Sequence, residues 1–481
     1  MSRFVPNRLA APLAVAAGLR GTLWAFVLLR TGTRAMAGGD TLSYLEPGRN
    51  LLLHGVFQTA GLPEIGRAPG YPLFLAVASG AGLALAALLQ AALSVLSVWL
   101  VARLARAVGL SEPAVLCAAW LAALEPVSIL YSVRLLSETL FTALLLVSVG
   151  RMAAFLRTPL SRPVNSSTVP HPLRGLPREM GGMPMHYWKA GSISWSGLAL
   201  AAAIFVRPAA YWLPMAWALG LAVVCWHQRG LRWKASALLL AATLPLLAAW
   251  QLRNWMETGF SGFSSIAVRN AYFYSAAETE ARANGFPFAV EQQAFGYPDE
   301  AAYMRSHPEQ TDWSQAARLS FQRAEAGRIL EAHWPEALRA QVVGSAVVAF
   351  SPCAAELLEL LDADSAPAPP RVVHAGPLDA ALHILRTDPL RATVMVILEL
   401  WLLALYLLAV KGTVRAGLPR FVRMLLIGTS LYFITVSGGV QAVGRYRMPV
   451  MPLVCVLAGA GLACKQKQAR MQSIEWSVSS R

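Results

Sequence analysis

The chain is dominated by apolar runs of roughly 17–24 residues, the length at which a helix crosses the hydrocarbon core of a bilayer. Ten are read, at 9–30, 84–107, 113–132, 139–156, 193–206, 209–227, 234–251, 391–410, 421–438 and 446–464. A backbone in lipid must satisfy its hydrogen bonds internally, so runs of this length and number predict helices. The fifth run is the shortest. Arg207-Pro208 ends it, because proline lacks a backbone donor and disfavours helix in the residue before it. The expected fold class is an all-α polytopic membrane protein with a bundle of about ten transmembrane helices. Charged residues make up only 14% of the chain, against about a quarter in soluble domains.

Arg3 and Arg8 precede the first run, and Ala35-Met36-Ala37 resembles a cleavage site. Leu9 to Leu29 is nevertheless too long for a signal-peptide core, so an uncleaved first helix is expected. The net charge of +15 does not form a basic stripe interleaved with aromatics, which argues against nucleic acid as a partner. Positive charge collects in short loops between runs, where it holds loops in the cytoplasm. All five lysines (Lys189, Lys234, Lys411, Lys465 and Lys467) lie on the side that one topology places inside. Both termini are then cytoplasmic, and most acids lie on the opposite face. The five cysteines are scattered and suggest neither a zinc site nor a disulfide framework.

This topology divides the chain into an N-terminal transmembrane module (1–251), a segment outside the membrane (252–390), a C-terminal transmembrane module (391–464) and a cytoplasmic tail (465–481). The first exoplasmic loop spans 31–83, within which 71–83 reads as an interfacial helix. Residues 157–192 form a proline-rich cytoplasmic linker, so the Asn165-Ser166-Ser167 sequon faces away from glycosylation. The outer segment is expected to be small and mostly helical. An amphipathic helix is predicted over 309–333, with Trp313, Ala317, Phe321 and Ala324 on one face. A second, Glu336 to Phe350, is expected to dip its apolar end into the bilayer surface. Arg20, Glu125 and Glu399 fall at membrane depth, where charge is costly, and Arg20 is expected to pair with one of the two acids.

Ionisable residues recur at the exoplasmic ends of the runs. Asp40 follows Gly38-Gly39 in the first loop, with His54 and then Arg67-Ala68-Pro69-Gly70-Tyr71-Pro72 after it. Tyr131, Arg134 and Ser137-Glu138 precede the fourth run. Arg207-Pro208 ends the fifth, Trp250 to Asn254 (including Arg253) closes the seventh, and Gly444-Arg445-Tyr446-Arg447-Met448-Pro449 opens the last.

In this order, and on this topology, these motifs resemble the GT-C glycosyltransferases, in the branch related to protein O-mannosyltransferases and lipid A aminoarabinose transferases. The resemblance runs from about residue 20 to 465. It implies a donor sugar carried on a polyprenyl phosphate, undecaprenyl phosphate if the chain is bacterial. It also implies an acceptor hydroxyl on a lipid, glycan or protein outside the cytoplasm, and hence an enzyme of the inner membrane. Two features depart from the family. Thr41 follows Asp40 where members often carry an acidic pair, and the second exoplasmic loop has no Asp-x-Asp. Chemistry without a metal or other cofactor is therefore expected, with Glu46 and Glu138 still open as partners for a shared ion.

On this reading Asp40 is the base for the acceptor hydroxyl, and a single displacement inverts the anomeric centre. Glu138 is a second catalytic carboxylate. Arg445 and Arg447, with Arg67 and Arg253, bind the donor phosphate, for which the planar guanidinium fork is suited. Tyr71, Tyr131, Arg207 and His54 line the substrate pocket. Each residue has an ordinary alternative. Glu138 suits a helix N-terminus, Arg445 and Arg447 suit interfacial anchoring, and Arg207 and Arg253 suit capping or pairing with loop acids. His54 suits a structural loop histidine, and Tyr71 suits packing. Two other functions stay open: a flippase for lipid-linked sugars, which should show a repeated half, and an O-antigen ligase or polymerase.

Overall fold

A computed structural model describes residues 7–157, 185–224, 229–361 and 386–463. Most of the 157–192 linker with its sequon, the Pro/Ala-rich stretch 363–377 and the 465–481 tail lie outside the described residues. The first half comprises α1 (Asn7–Thr31), α2 (Thr41–His54), a two-residue hairpin of β1 (Gln58–Thr59) and β2 (Leu62–Pro63), α3 (Gly70–Ala78), α4 (Leu83–Ala107), α5 (Glu112–Ala123), α6 (Pro126–Leu130), α7 (Glu138–Arg157), α8 (Met185–Val206), α9 (Leu213–Val224) and α10 (Arg229–Thr258). The bundle core is built where α4 and α8 pack on α7, α10 packs on α8 and α9, and α1 packs on α4 and α5. Its contact faces are lined by small side chains such as Ala86, Ala102, Ala118, Ala153 and Ala203, all nearly inaccessible, which allow helices to approach closely without help from water.

Every expected run has an apolar helix in its place, but the lengths differ. Among the described residues, five helices are long and apolar enough to cross a membrane: α1, α4, α7, α10 and Pro389–Arg415. The run at 113–132 is broken, because Glu125 leaves the helix and its carboxylate accepts the amides of Val127 and Ser128 to cap α6. The runs at 193–206, 209–227 and 446–464 correspond to apolar helices of 17 residues or fewer.

The segment after α10 folds into α11 (Ile266–Asn270), a π-helical turn (Ala271–Ala276), α12 (Ala277–Asn284), α13 (Phe288–Ala294), α14 (Glu300–Ser306) and α15 (Gln315–Ala332). Tyr272, Phe273, Phe295, Tyr303 and Ile329 form its own aromatic core. The expected amphipathic helix is α15, but with a different inner face. Leu319, Gln322, Ala326 and Ile329 are buried, whereas Trp313, Ala317 and Ala324 are exposed and, of the expected stripe, Phe321 packs half-buried on the aromatic core. The helix starts only at Gln315, after Ser314 caps it through the amide of Ala317, so the spacing counted from Trp313 selected the wrong stripe.

α16 (Trp334–Phe350) and α17 (Ala354–Leu361) meet at a 54° bend and together are apolar enough to form a sixth, broken span or a re-entrant element. This is a larger apolar element than the surface dip expected from 336–350. The last described helices are α18 (Pro389–Arg415), α19 (Arg420–Val436) and α20 (Met451–Ala463). Glycine makes one of these contacts possible: a Cβ on Gly344 of α16 would lie 2.1 Å from the backbone of Gly439.

Arg20 is buried, but its partners are the Ser94 hydroxyl at 2.7 Å and the Ala123 carbonyl at 3.0 Å, with Glu125 engaged in capping. Glu125 lies near enough to attract Arg20 electrostatically but makes no hydrogen bond to it, so the expected pairing is a longer-range one and the direct contacts are to neutral groups. Cys117, Cys353 and Cys455 are free thiols.

Candidate active site

The ends of four helices meet at one end of the bundle: α1 through its following loop, α7 at its first residue, α8 just beyond its last, and α20 through the turn before it. Asp40, Glu138, Arg207 and Arg445 come from these four places.

Asp40 is the residue before α2, yet its carboxylate does not cap that helix. The loop is held instead by Thr41, whose hydroxyl donates to the Leu135 carbonyl at 3.1 Å, while the Leu135 amide donates to Met36 at 2.8 Å. Both carboxylate oxygens of Asp40 therefore face guanidiniums. Arg67 Nη2 lies 2.9 Å from Oδ1 and Arg445 Nη2 lies 3.3 Å from Oδ2. Burial alone would raise the Asp40 pKa, but Arg67 and then Arg445 outweigh it and hold the carboxyl below its ordinary value.

Glu138 opens α7 and is buried. Its Oε1 lies 2.7 Å from Arg207 Nη1 and 3.6 Å from Arg445 Nε. The longer distance is beyond a hydrogen bond, and Arg445 Nε has no hydrogen-bond acceptor. Arg445 thus lies between two carboxylates, within hydrogen-bonding distance only of Asp40. Tyr446 lies between two arginines, with Arg207 4.8 Å and Arg445 5.2 Å from its ring centre. The two acids differ in access: the Asp40 side chain is 36% exposed and that of Glu138 is 4% exposed. A substrate hydroxyl can approach the first and not the second.

A second layer holds these groups. The Glu64 carboxylate accepts the amides of Gly66 and Arg67, fixing the turn that presents Arg67. Arg253 donates to the carbonyls of Glu64 and Phe57 at 2.9 and 2.8 Å, so it ties the β1–β2 hairpin to α10 and does not face Asp40. The Tyr71 hydroxyl donates to Gln90 at 2.9 Å, and Gln90 in turn donates to the Tyr131 and Arg134 carbonyls. Tyr71 and Tyr131 are both buried. Tyr131 meets this network through its carbonyl, which also accepts the Thr139 hydroxyl at 3.2 Å.

Two expected site residues lie elsewhere. His54 is exposed at the far end of α2, about 20 Å from Asp40 by helix rise. Arg447 is buried and donates to the carbonyls of Val348 and Ser351, which end α16. Residues 444–447 form a 3₁₀ turn, where side chains two positions apart point in different directions. Glu46 is exposed and accepts the Ala60 amide at 2.7 Å.

Three residues of the site were not singled out from sequence. Tyr44 accepts from Arg67 Nη1 at 3.1 Å. It stands four positions after Asp40, one turn along α2, but the first loop reads as irregular because Pro47 interrupts the helical pattern. Gln90 is a polar residue in the middle of an apolar run, a usable signal. Tyr446 was visible only as part of its motif.

No protein-family model and no curated protein matches the sequence. Solved structures do. The archaeal oligosaccharyltransferase AglB of Archaeoglobus fulgidus, in complex with an inhibitory peptide and a dolichol-phosphate, matches over 100% of this chain and 53% of its own, at 14% identity and a TM-score of 0.52. The apo form of the Archaeoglobus fulgidus oligosaccharyltransferase matches at 14% identity with a TM-score of 0.50, over the same shares of the two chains. ArnT of Cupriavidus metallidurans covers 92% of this chain and 76% of its own at 14% identity, with a TM-score of 0.37, too low to carry an argument. The chain spans about half the length of the oligosaccharyltransferase. At this identity the likeness concerns fold and does not choose between branches. The all-α polytopic bundle of this chain has the GT-C fold.

Proposed function

We propose that this protein is an integral membrane glycosyltransferase that moves a sugar from a polyprenyl-phosphate carrier to an acceptor hydroxyl on the exoplasmic face. The observation that carries this reading is the ionic cluster, in which three guanidiniums (Arg67, Arg207, Arg445) face two carboxylates (Asp40, Glu138) at one end of a GT-C bundle. The cluster has one positive charge in excess, and a sugar phosphodiester carries one negative charge. Arg445, partly exposed and shared between the two carboxylates, is the group the phosphate engages. Dolichol-phosphate in the similar oligosaccharyltransferase supports a lipid phosphate as ligand class.

The acceptor oxygen attacks the anomeric carbon. The bond from that carbon to the phosphate oxygen breaks, and the phosphate leaves with the electron pair. Asp40 takes the acceptor proton. Arginine-bound carboxylate is a weak base, so the donor has two effects: its phosphate draws Arg445 off Asp40, and the carboxylate regains basicity once both substrates are in place. Glu138 stays buried and orients Arg207 and Arg445. This route inverts the anomeric centre and uses no metal, which a transfer assay in chelator tests. Basic loops favour the side of the membrane opposite this cluster, which supports a site on the periplasmic or exterior face.

Purified protein in nanodiscs, given a polyprenyl-phosphate sugar and a cell-envelope extract, should release free polyprenyl phosphate and label an acceptor. In sealed proteoliposomes, passage of intact donor across the bilayer without bond cleavage would point to a flippase and contradict the proposal.

A further inference from the structure

The turn Ala271–Ala276 between α11 and α12 is π-helical. Such turns are rare and recur at functional sites, because the extra residue per turn redirects side chains. Here it carries Tyr274 and Ser275 to different neighbours. The Tyr274 hydroxyl donates to the Tyr297 hydroxyl at 2.8 Å. Burial, then this hydrogen bond, raises the Tyr274 pKa, with Tyr446 and Asp40 close enough to add to the effect. The Tyr274 proton is thus engaged by Tyr297, and its neutral phenol oxygen stands on the Asp40 side of the segment as an acceptor. Ser275 lines a cavity of about 190 Å³ between the π turn, α12, α15, α16 and the loop before the 444–447 turn.

The chemistry of that cavity is specific. Ser275, Thr279 and Gln341 supply its side-chain polar atoms, and Ala337, Ala340 and Val440 supply apolar wall. Among the described residues, no charged side chain lines it. Gln341 spends its amide nitrogen on the Thr435 carbonyl, which leaves its oxygen to accept. Tyr274, the neighbour of Ser275 on the π turn, and its partner Tyr297 are half-buried. An ionised group placed here would lose its hydration with no counter-charge. A hydroxyl-bearing neutral group would find donors, acceptors and apolar surface together, as small-molecule sites provide.

We propose that the π turn and the cavity behind it form the acceptor subsite, and that it takes an uncharged sugar residue. This inference rests on the proposed glycosyl transfer for its role, but not for its binding test. That test is saturation-transfer NMR with methyl glycosides of common hexoses on the protein in nanodiscs, alongside the 6-phosphate and 2-amino counterparts. Neutral glycosides should bind, and the charged ones should bind at least about tenfold more weakly. Ala337→Phe, which fills the cavity, should weaken neutral binding by about tenfold or more. Ser275→Ala, too small a change to prevent folding, should weaken it by several-fold. Binding of undecaprenyl phosphate to the same samples should be unchanged by either variant. Failure of undecaprenyl phosphate to bind any sample would count against the transferase reading alone. Absence of neutral glycoside binding, equal binding of the phosphorylated glycosides, or indifference to Ala337→Phe would overturn the subsite.

Discussion

Arg445 and Arg447 stand two positions apart and have different roles. Arg445 is shared by Asp40 and Glu138, whereas Arg447 holds the carbonyls at the end of α16. Arg445→Ala should weaken donor binding by about tenfold or more, consistent with losing a charge-assisted contact, with little change in thermal midpoint. Arg447→Ala should do the opposite. Losing buried hydrogen bonds from a charged group costs about 1.5–3 kcal/mol each, so the melting temperature should fall while the folded fraction binds donor normally. Titration with undecaprenyl phosphate and a thermal scan of both variants separate the two roles, and a shared phenotype would contradict them. The Asp40 pKa carries a second expectation. A carboxyl depressed in the folded state stabilises the protein above its unfolded pKa of about 3.9. That contribution is lost as pH falls through the lower folded value. The thermal midpoints of the wild-type protein and Asp40→Asn should therefore differ at neutral pH and converge below about pH 4. Convergence on the alkaline side instead would mean that Asp40 is not held by the arginines. At this scale the sequence showed which residue types gather at the ends of the apolar runs. It did not show side-chain direction, because the difference between Arg445 and Arg447 arises from a 3₁₀ turn with no propensity signal of its own.

The α16–α17 break fixes where Arg445 sits. The 444–447 turn packs into this bend so closely that a Cβ on Gly444 would lie 2.4 Å from Cys353 Sγ and 2.7 Å from the Ser351 carbonyl. Gly444→Ala should therefore displace the turn and lower transfer strongly, through a smaller kcat. Gly428 in α19 has nothing within 4 Å of an added Cβ. Gly428→Ala should leave transfer unchanged and add up to about 1 kcal/mol from helix propensity. Comparing kcat and melting temperature of the two variants tests this; equal activities would mean that the bend does not position Arg445. Apolar periodicity located the helices because period and length are strong signals. It missed α2, where Pro47 disturbs the pattern although Gly55 beyond its end adopts the left-handed conformation of a helix stop. It also misjudged the inner face of α15, whose buried positions 319, 322, 326 and 329 keep the helical period on a different stripe, packed against the π turn.

Over the whole molecule, sidedness decides which compartment meets the cluster. Basic loops argue for a cytoplasmic linker and an outer segment beyond α10. In a variant stripped of its own cysteines, one introduced at position 298 should react in intact cells with an impermeant reagent, and one at position 165 should not. The reverse pattern would put the cluster in the cytoplasm and remove the proposed donor from reach. The bundle class was legible in the apolar runs, and the ionisable groups at their ends were legible as types. Their convergence depends on how four distant segments pack, which the sequence alone did not show. The most direct test of the account is transfer by Asp40→Asn, in nanodiscs, with a polyprenyl-phosphate sugar and its labelled acceptor. Turnover should fall by about two to four orders of magnitude, the range for losing a general base, while the variant stays folded and still binds undecaprenyl phosphate. Near-normal turnover by this variant would contradict the account.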